Sequence, residues 1–153
     1  MATTTATITL ASSDIADNTI SISNTATLSK AGSATGLDKT SGLRRRTLAS
    51  TDSVDLIQLD HFQQVGEVIT ENKSAKVYIK NIGASTSEHV KVCIGQEDAD
   101  ADTEEIGQLY GGDWMFFPWA AVWTSADHNS NEDIYVIPSS ADSVTLEWMV
   151  IHE

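Results

Sequence analysis

The stretch Val144-Thr145-Leu146-Glu147-Trp148-Met149-Val150-Ile151 alternates with period two. In an extended chain successive side chains point to opposite sides, so Val144, Leu146, Trp148 and Val150 share one face. Met149 and Ile151 lie on the other, which makes the end of this strand apolar on both sides. Such a strand must be covered on both faces, in a sandwich core or under a neighbouring subunit.

The same period recurs when the chain is followed outward. Ile134 and Val136 make a short strand stopped by Pro138. Val90, Val92 and Ile94 alternate with His89, Lys91 and Cys93, and Ala75, Val77 and Ile79 alternate with Lys76, Tyr78 and Lys80. Residues 83–87 between these two runs read as a hairpin connection. Val54 and Leu56 begin another strand, and residues 65–70 a weaker one. Gly111-Gly112-Asp113 marks a turn ahead of Trp114. Near the N-terminus Ile8 and Leu10 alternate with Thr7 and Thr9. Further on, Ile20, Ile22, Ala26 and Leu28 oppose Thr19, Ser21, Ser23, Thr25 and Thr27. The latter pattern predicts a half-buried strand with a hydroxyl outer face, either continuous or broken by a bulge at Asn24.

Helical periodicity is nearly absent. About eight to ten short strands with closely spaced turns predict an all-β fold, an antiparallel β-sandwich or jelly-roll-like barrel. An extended N-terminal strand or arm region precedes it. Residues 1–17 are expected to form an N-terminal strand and turn, and residues 18–153 a single sandwich domain. A long connection near residues 31–42 carries Gly32, Gly36 and Gly42 among serines and threonines. It reads either as a flexible surface loop or as a docking arm held by a neighbouring surface.

Composition limits the function classes. A chain of 153 residues with 41% hydrophobic content can bury one sizeable core without metal or disulfide staples. The formal net charge of −13 disfavours nucleic acid and anionic membranes as partners. Cys93 is the sole cysteine, so no intrachain disulfide forms. The N-terminus carries neither a basic nor an apolar leader region. The aromatic-apolar run at residues 114–123 is about half the roughly 20 residues of a membrane-spanning helix and contains Pro118. A soluble protein made in a cytoplasm is expected.

Catalytic and metal motifs are weak. Asp98, Asp100 and Asp102 alternate within the acidic segment 97–105 and offer oxygen ligands of the kind calcium takes. The glycine of an EF-hand loop and its flanking helices are missing, so a solvated acidic hairpin loop is the simpler reading. Among His61, His89, His128 and His152 no HExxH spacing occurs. His89 and Cys93, four apart on one strand, have backbones roughly 13 Å apart, too far to share a zinc ion. No nucleophile elbow, Walker loop or dinucleotide fingerprint is present. No enzymatic activity and no cofactor are expected.

Partner-contact candidates are aromatic and basic. Trp114-Met115-Phe116-Phe117-Pro118-Trp119, with Trp123 nearby, places large apolar groups on both faces of one strand. A core strand under a covering loop, a subunit interface built on Trp114, Phe117, Trp119 and Trp123, and a sugar-stacking platform all fit that pattern. Arg44, Arg45 and Arg46 hold three of the nine basic residues. They read as a solvated strand edge or as bidentate contacts to an acidic patch on a neighbour.

Four segments, in this order, resemble a known family. They are Thr27-Leu28-Ser29-Lys30-Ala31-Gly32-Ser33-Ala34-Thr35-Gly36-Leu37; Lys76-Val77-Tyr78-Ile79-Lys80-Asn81; Glu105-Ile106-Gly107-Gln108-Leu109-Tyr110-Gly111-Gly112-Asp113-Trp114-Met115-Phe116-Phe117-Pro118-Trp119; and Thr145-Leu146-Glu147-Trp148-Met149-Val150. Together they resemble small virion structural proteins of tailed bacteriophages, particularly marine and cyanobacterial ones. The resemblance runs from about residue 18 to the C-terminus and is one of general pattern, with no catalytic or binding residues to carry over. It implies a β-rich homo-oligomer made in the host bacterial cytoplasm and bound to the virion through capsid or other virion proteins. Head decoration or cement is the expected role; a tail or fibre component and a carbohydrate-binding module are the alternatives. Residues 97–105 and 120–131 depart from the family pattern.

Overall fold

A computed structural model describes residues 3–13, 19–29, 35–49, 54–57, 74–94, 104–120, 134–139 and 143–152. Eleven strands run in the order β1 (Thr5–Ser12), β2 (Ile20–Thr27), β3 (Lys39–Thr40), β4 (Arg44–Leu48), β5 (Val54–Ile57) and β6 (Ser74–Asn81), then β7 (His89–Ile94), β8 (Glu104–Tyr110), β9 (Trp114–Ala120), β10 (Ile134–Pro138) and β11 (Val144–His152). The described residues contain no helix. Together the strands form one architecture, an antiparallel β-sandwich flanked by a separate two-stranded hairpin.

One sheet has the order β5-β10-β7-β8. The other has β11 flanked on one side by β3 and β4, which lie end to end, and on the other side by β6 and then β9. The core fills the space between the sheets. Val77, Ile79, Val144, Leu146, Trp148, Val150 and Leu48 face it from one side, and Val90, Val92, Leu109, Ile134 and Val136 from the other. These are the period-two positions of the sequence, β-branched or large, which suits the pleated surface of a sheet.

The second face of β11 is covered from within the chain. Leu28, Leu37 and Ile151 form a smaller buried cluster, with Ala6, Phe116 and Met149 packed against it. The segment after β2 therefore folds back over the outside of the sheet. Backbone bonds hold it there: the Leu37 N–H donates to the Leu28 carbonyl at 3.0 Å, and the Ser41 N–H to the Val150 carbonyl at 2.9 Å. Residues 35–42 of the long glycine-bearing connection are thus tied down to β11, with Leu37 fully buried. This part of the connection is no loose surface loop.

Three expectations change. Residues 83–87 do not close a hairpin, because β6 and β7 belong to different sheets. Both strands turn their apolar residues to the same core from opposite sides, which produces the same alternation that a hairpin would. Strand β2 is not half-buried: residues 21–27 are exposed on both faces, and burial begins only at Leu28. It runs through Asn24 without a bulge. Finally, the division at 17/18 falls between β1 and β2, which pair with each other, so the N-terminal unit is the hairpin itself. The weak strand expected at residues 65–70 lies outside the described residues.

The crossover between β6 and β7 and the turn between β8 and β9 are knitted together at Asn81, a buried polar residue. Its side-chain amide donates to the Leu109 carbonyl at 3.0 Å and accepts from the Gly83 N–H at 2.9 Å. Its backbone N–H donates to the Asp113 carbonyl at 3.0 Å, and its carbonyl accepts from the Gly112 N–H at 2.9 Å. Both chain passages between the sheets are therefore fixed at one point.

Candidate assembly surface

Strands β1 and β2 pair antiparallel over their full lengths, from Thr5 opposite Thr27 to Ser12 opposite Ile20. Opposed residues of an antiparallel pair share a face. One face carries Thr5, Thr7, Thr9, Ser21, Ser23, Thr25 and Thr27, knitted by hydroxyl contacts between Thr7 and Thr25 (2.8 Å) and between Thr9 and Ser23 (3.4 Å). The other carries Ala6, Ile8, Leu10, Ile20, Ile22 and Ala26, with Asn24 opposite Ile8 and Ser12 opposite Ile20. Only its root is covered: Ala6 packs on the Leu28, Leu37 and Ile151 cluster. Beyond the root, Ile8 is 39%, Leu10 56% and Ile22 55% exposed. Leu10 and Ile22 are direct cross-strand neighbours.

The hairpin differs from the body in charge. Residues 3–13 and 19–29 contain no charged side chain, in a chain of net charge −13. Among the described residues, every open edge of the body, by contrast, carries a feature that discourages pairing with a further strand. Edge strand β4 presents three arginines, and β9 places Pro118, which has no N–H, opposite Lys76. Strand β8 shifts register opposite Val92 and Cys93, passing over Ile106, and β5 shifts register against β10. Strand β3 has only two residues. Neither strand of the hairpin has a proline, a charge or a register shift.

The arginines have separate roles. Arg45 lies directly across from Glu147 on β11, and its Nε and Nη2 both reach Oε2 of that carboxylate at 2.6 Å. Tyr78 donates its hydroxyl to Oε1 at 3.2 Å. The hydrogen bond from Arg45 holds the Glu147 carboxyl below the usual carboxylate range, against the opposing effect of burial and with help from Tyr78. Burial and the same carboxylate push the Tyr78 hydroxyl up. Arg45 is therefore engaged within the chain, while Arg44 donates to the Ser41 carbonyl at 3.3 Å. Arg46 is exposed beside them at the strand edge.

A pH dependence follows. With its folded pKa depressed, Glu147 contributes stability that is fully present above its unfolded value, about 4.3. That contribution is lost as the pH falls through the lower folded value. Glu147→Gln should be less stable than the parent at neutral pH and lose less on acidification, as read from urea midpoints across a pH series. Parallel pH profiles for the two proteins would remove the ion pair from the account.

The aromatic block divides by parity. Met115, Phe117 and Trp119 pack against the sandwich core, where the Trp119 Nε1 is buried without a hydrogen-bond partner among the described residues. Phe116 faces the opposite way and joins the smaller cluster under the hairpin root. Trp114 is 50% exposed. Phe117 and Trp119 thus line the inside of the sandwich, and Trp123 lies outside the described residues. The two-sided apolarity of this strand has the same cause as that of β11, a second covering layer from the same chain.

Among the described residues no three His, Cys, Asp or Glu side chains are grouped to hold a metal ion. Asp98, Asp100 and Asp102 fall outside those residues. The strands on either side of the acidic segment, β7 and β8, pair antiparallel. His89 stands opposite Tyr110 with ring centroids 4.9 Å apart. Cys93 is buried, and burial followed by the nearby Glu105 pushes its thiol up, against a hydrogen bond with Tyr135. The His89 and Cys93 side chains both make packing contacts within the β7, β8 and β10 sheet.

What sequence reasoning did not read is that β1 and β2 pair with each other as one hairpin. The available signal was the coincidence of two alternating, uncharged stretches of similar length around a short polar turn.

No protein-family model matches the chain. No curated protein matches it either. Among solved structures, similarity is found to a pilus protein of Bacillus endospore appendages, described as a family of disulfide-linked pili. It has 9% identity and a TM-score of 0.39, covering 78% of this chain and 94% of that one. A xylan-binding domain, CBM22-1 of Paenibacillus barcinonensis Xyn10C, is similar at 12% identity and a TM-score of 0.33, covering 73% of this chain and 82% of that one.

Proposed function

We propose that this chain is a non-enzymatic structural subunit of a tailed-phage virion, a decoration or cement protein that binds the head as repeated copies. The observation that carries the assembly part of this reading is the pair of uncharged strands β1 and β2 with Ile8, Leu10 and Ile22 uncovered. An isolated two-stranded hairpin is marginal in water. An apolar face on such an element is a surface for another protein. The virion part rests on the four-segment sequence resemblance. The strong negative charge favours a protein partner over nucleic acid or an anionic membrane.

A carbohydrate platform is supported less well. Trp114 and Trp119 project from opposite faces of β9, so they do not form one stacking surface.

The test is density-gradient co-sedimentation of the purified chain with phage capsids stripped of their accessory proteins. Loading at fixed stoichiometry on the capsid is the expected result. Binding to tails instead would move the subunit to the tail. Absence from both particles, with saturable quenching of tryptophan fluorescence by a glycan, would overturn the virion reading in favour of a binding module.

A further inference from the structure

We propose that the hairpin of β1 and β2 is a self-association arm, which seats its Ile8, Leu10 and Ile22 face against the same face of a second copy of this chain. The inference deepens the assembly reading, on which it rests, by naming the occupant of the uncovered surface.

Charge selects a second copy. Two chains of net charge −13 repel each other wherever their bodies approach. Strands β1 and β2 contribute nothing to that charge, whose nearest carriers along the chain are Asp14 and Asp17 between the two strands. On these two strands like copies meet without setting charge against charge. A basic partner would gain its attraction at the acidic body and nothing at a neutral arm, so charge complementarity points away from such a partner here.

Shape agrees with a twofold contact. In an isologous dimer the same patch meets itself, and the patch must be self-complementary. An apolar centre of Leu10 beside Ile22, flanked by Ile8 and carrying no charge, meets that condition. A polar or charged centre would set like against like.

Area sets the strength. Strands of eight residues give a face of roughly 27 by 10 Å. That is well below the roughly 800 Å² per partner of a standard stable interface. Pairing between free subunits is therefore weak and concentration-dependent. Copies held side by side on a common surface would pair far more completely, because the second contact becomes intramolecular in effect.

The experiment is sedimentation equilibrium of the full chain over a concentration series, with variants on each face of the hairpin. The parent should show a reversible monomer–dimer equilibrium. Leu10→Lys should weaken it at least about tenfold, the size of losing one central apolar anchor. Thr9→Lys, on the hydroxyl face, should leave it unchanged. An equal mixture of Leu10→Lys with Leu10→Glu should recover association that neither shows alone. Thermal midpoints of all variants should match the parent, since these side chains lie outside the core.

A parent that stays monomeric throughout, or Thr9→Lys disrupting as strongly as Leu10→Lys, would overturn the proposal. Capsid loading of the same samples separates the two readings. A chain that dimerises through the hairpin but ignores virions keeps this inference and ends the virion reading. A chain that loads without hairpin pairing ends this inference alone.

Discussion

Asn81→Leu is expected to lower stability by about 2–5 kcal/mol, the sum for two hydrogen-bonding groups left without their partner inside a protein. Leucine has the same branched arrangement of four side-chain heavy atoms as asparagine, so the loss is not chiefly one of bulk. It comes from the Leu109 carbonyl and the Gly83 N–H, which the Asn81 side chain satisfies at 3.0 and 2.9 Å. Gly83 lies in the crossover from β6 to β7, and Leu109 lies near the end of β8, just before the chain passes to β9. Asn81→Asp should also be destabilised at neutral pH: it keeps the acceptor for Gly83 but turns a carboxylate toward the Leu109 carbonyl. Urea unfolding, with slopes compared to confirm two-state behaviour, measures both. A change within about 0.5 kcal/mol for Asn81→Leu, the scale of an ordinary surface substitution, would mean the crossovers do not depend on this residue.

Gly111→Ala is expected to cost at least as much as the upper end of the roughly 1–3 kcal/mol typical of overpacking. A Cβ at this position would meet the Ser85 carbonyl oxygen at 2.4 Å, the Gly83 carbonyl oxygen at 2.8 Å and the Ser85 nitrogen at 3.0 Å. All three are backbone atoms, which cannot rotate away as a side chain would. The close approach is itself required by a bond, from the Gly111 N–H to the Ser85 carbonyl at 3.1 Å. The neighbouring glycine is the control. Gly112 has φ +91° but open space around its Cβ position, so alanine there meets backbone strain alone, about 1–2 kcal/mol. The expected order is Gly111→Ala well below Gly112→Ala in stability; the reverse order would contradict the account of the crossover. Asn81 and Gly111 brace the same passage, so the two losses should not add in a double mutant.

These two positions illustrate what the amino-acid order reveals and what it hides. The Val, Ile and Leu alternations of β6, β7, β10 and β11 are legible because each such strand turns one face to a single core. Topology is less so. A strand leading into an arch between sheets has the same periodicity as one leading into a hairpin, and residues 82–88 carry no turn chemistry that separates the two cases. Strand β8 escapes notice because Glu104, Glu105 and Ile106 continue the acidic segment and the register shift breaks the alternation.

The candidate surface shows a different limit. Ile20 and Ile22 opposite hydroxyl residues read as half-buried, and period two alone does not say whether the apolar face meets the chain's own core or a partner. Here Leu28 meets the core, while Ile22 does not. The Arg45 pairing to Glu147 has no local signature at all, since the two are 102 positions apart and meet only through the register of β4 on β11. The arginine cluster was visible; its internal partner was not.

The central claim is that the hairpin is completed by another molecule. Amide hydrogen exchange of residues 5–12 and 20–27, measured for the dilute chain and again for the assembled form, tests it most directly. In the dilute chain these amides should exchange far faster than those of β6 and β11, because an uncovered two-stranded ladder opens locally without unfolding the core. In the assembled form they should become protected while the core amides change little. Protection in the dilute monomer equal to that of β11 would contradict the account, since the hairpin would then be stable without a partner.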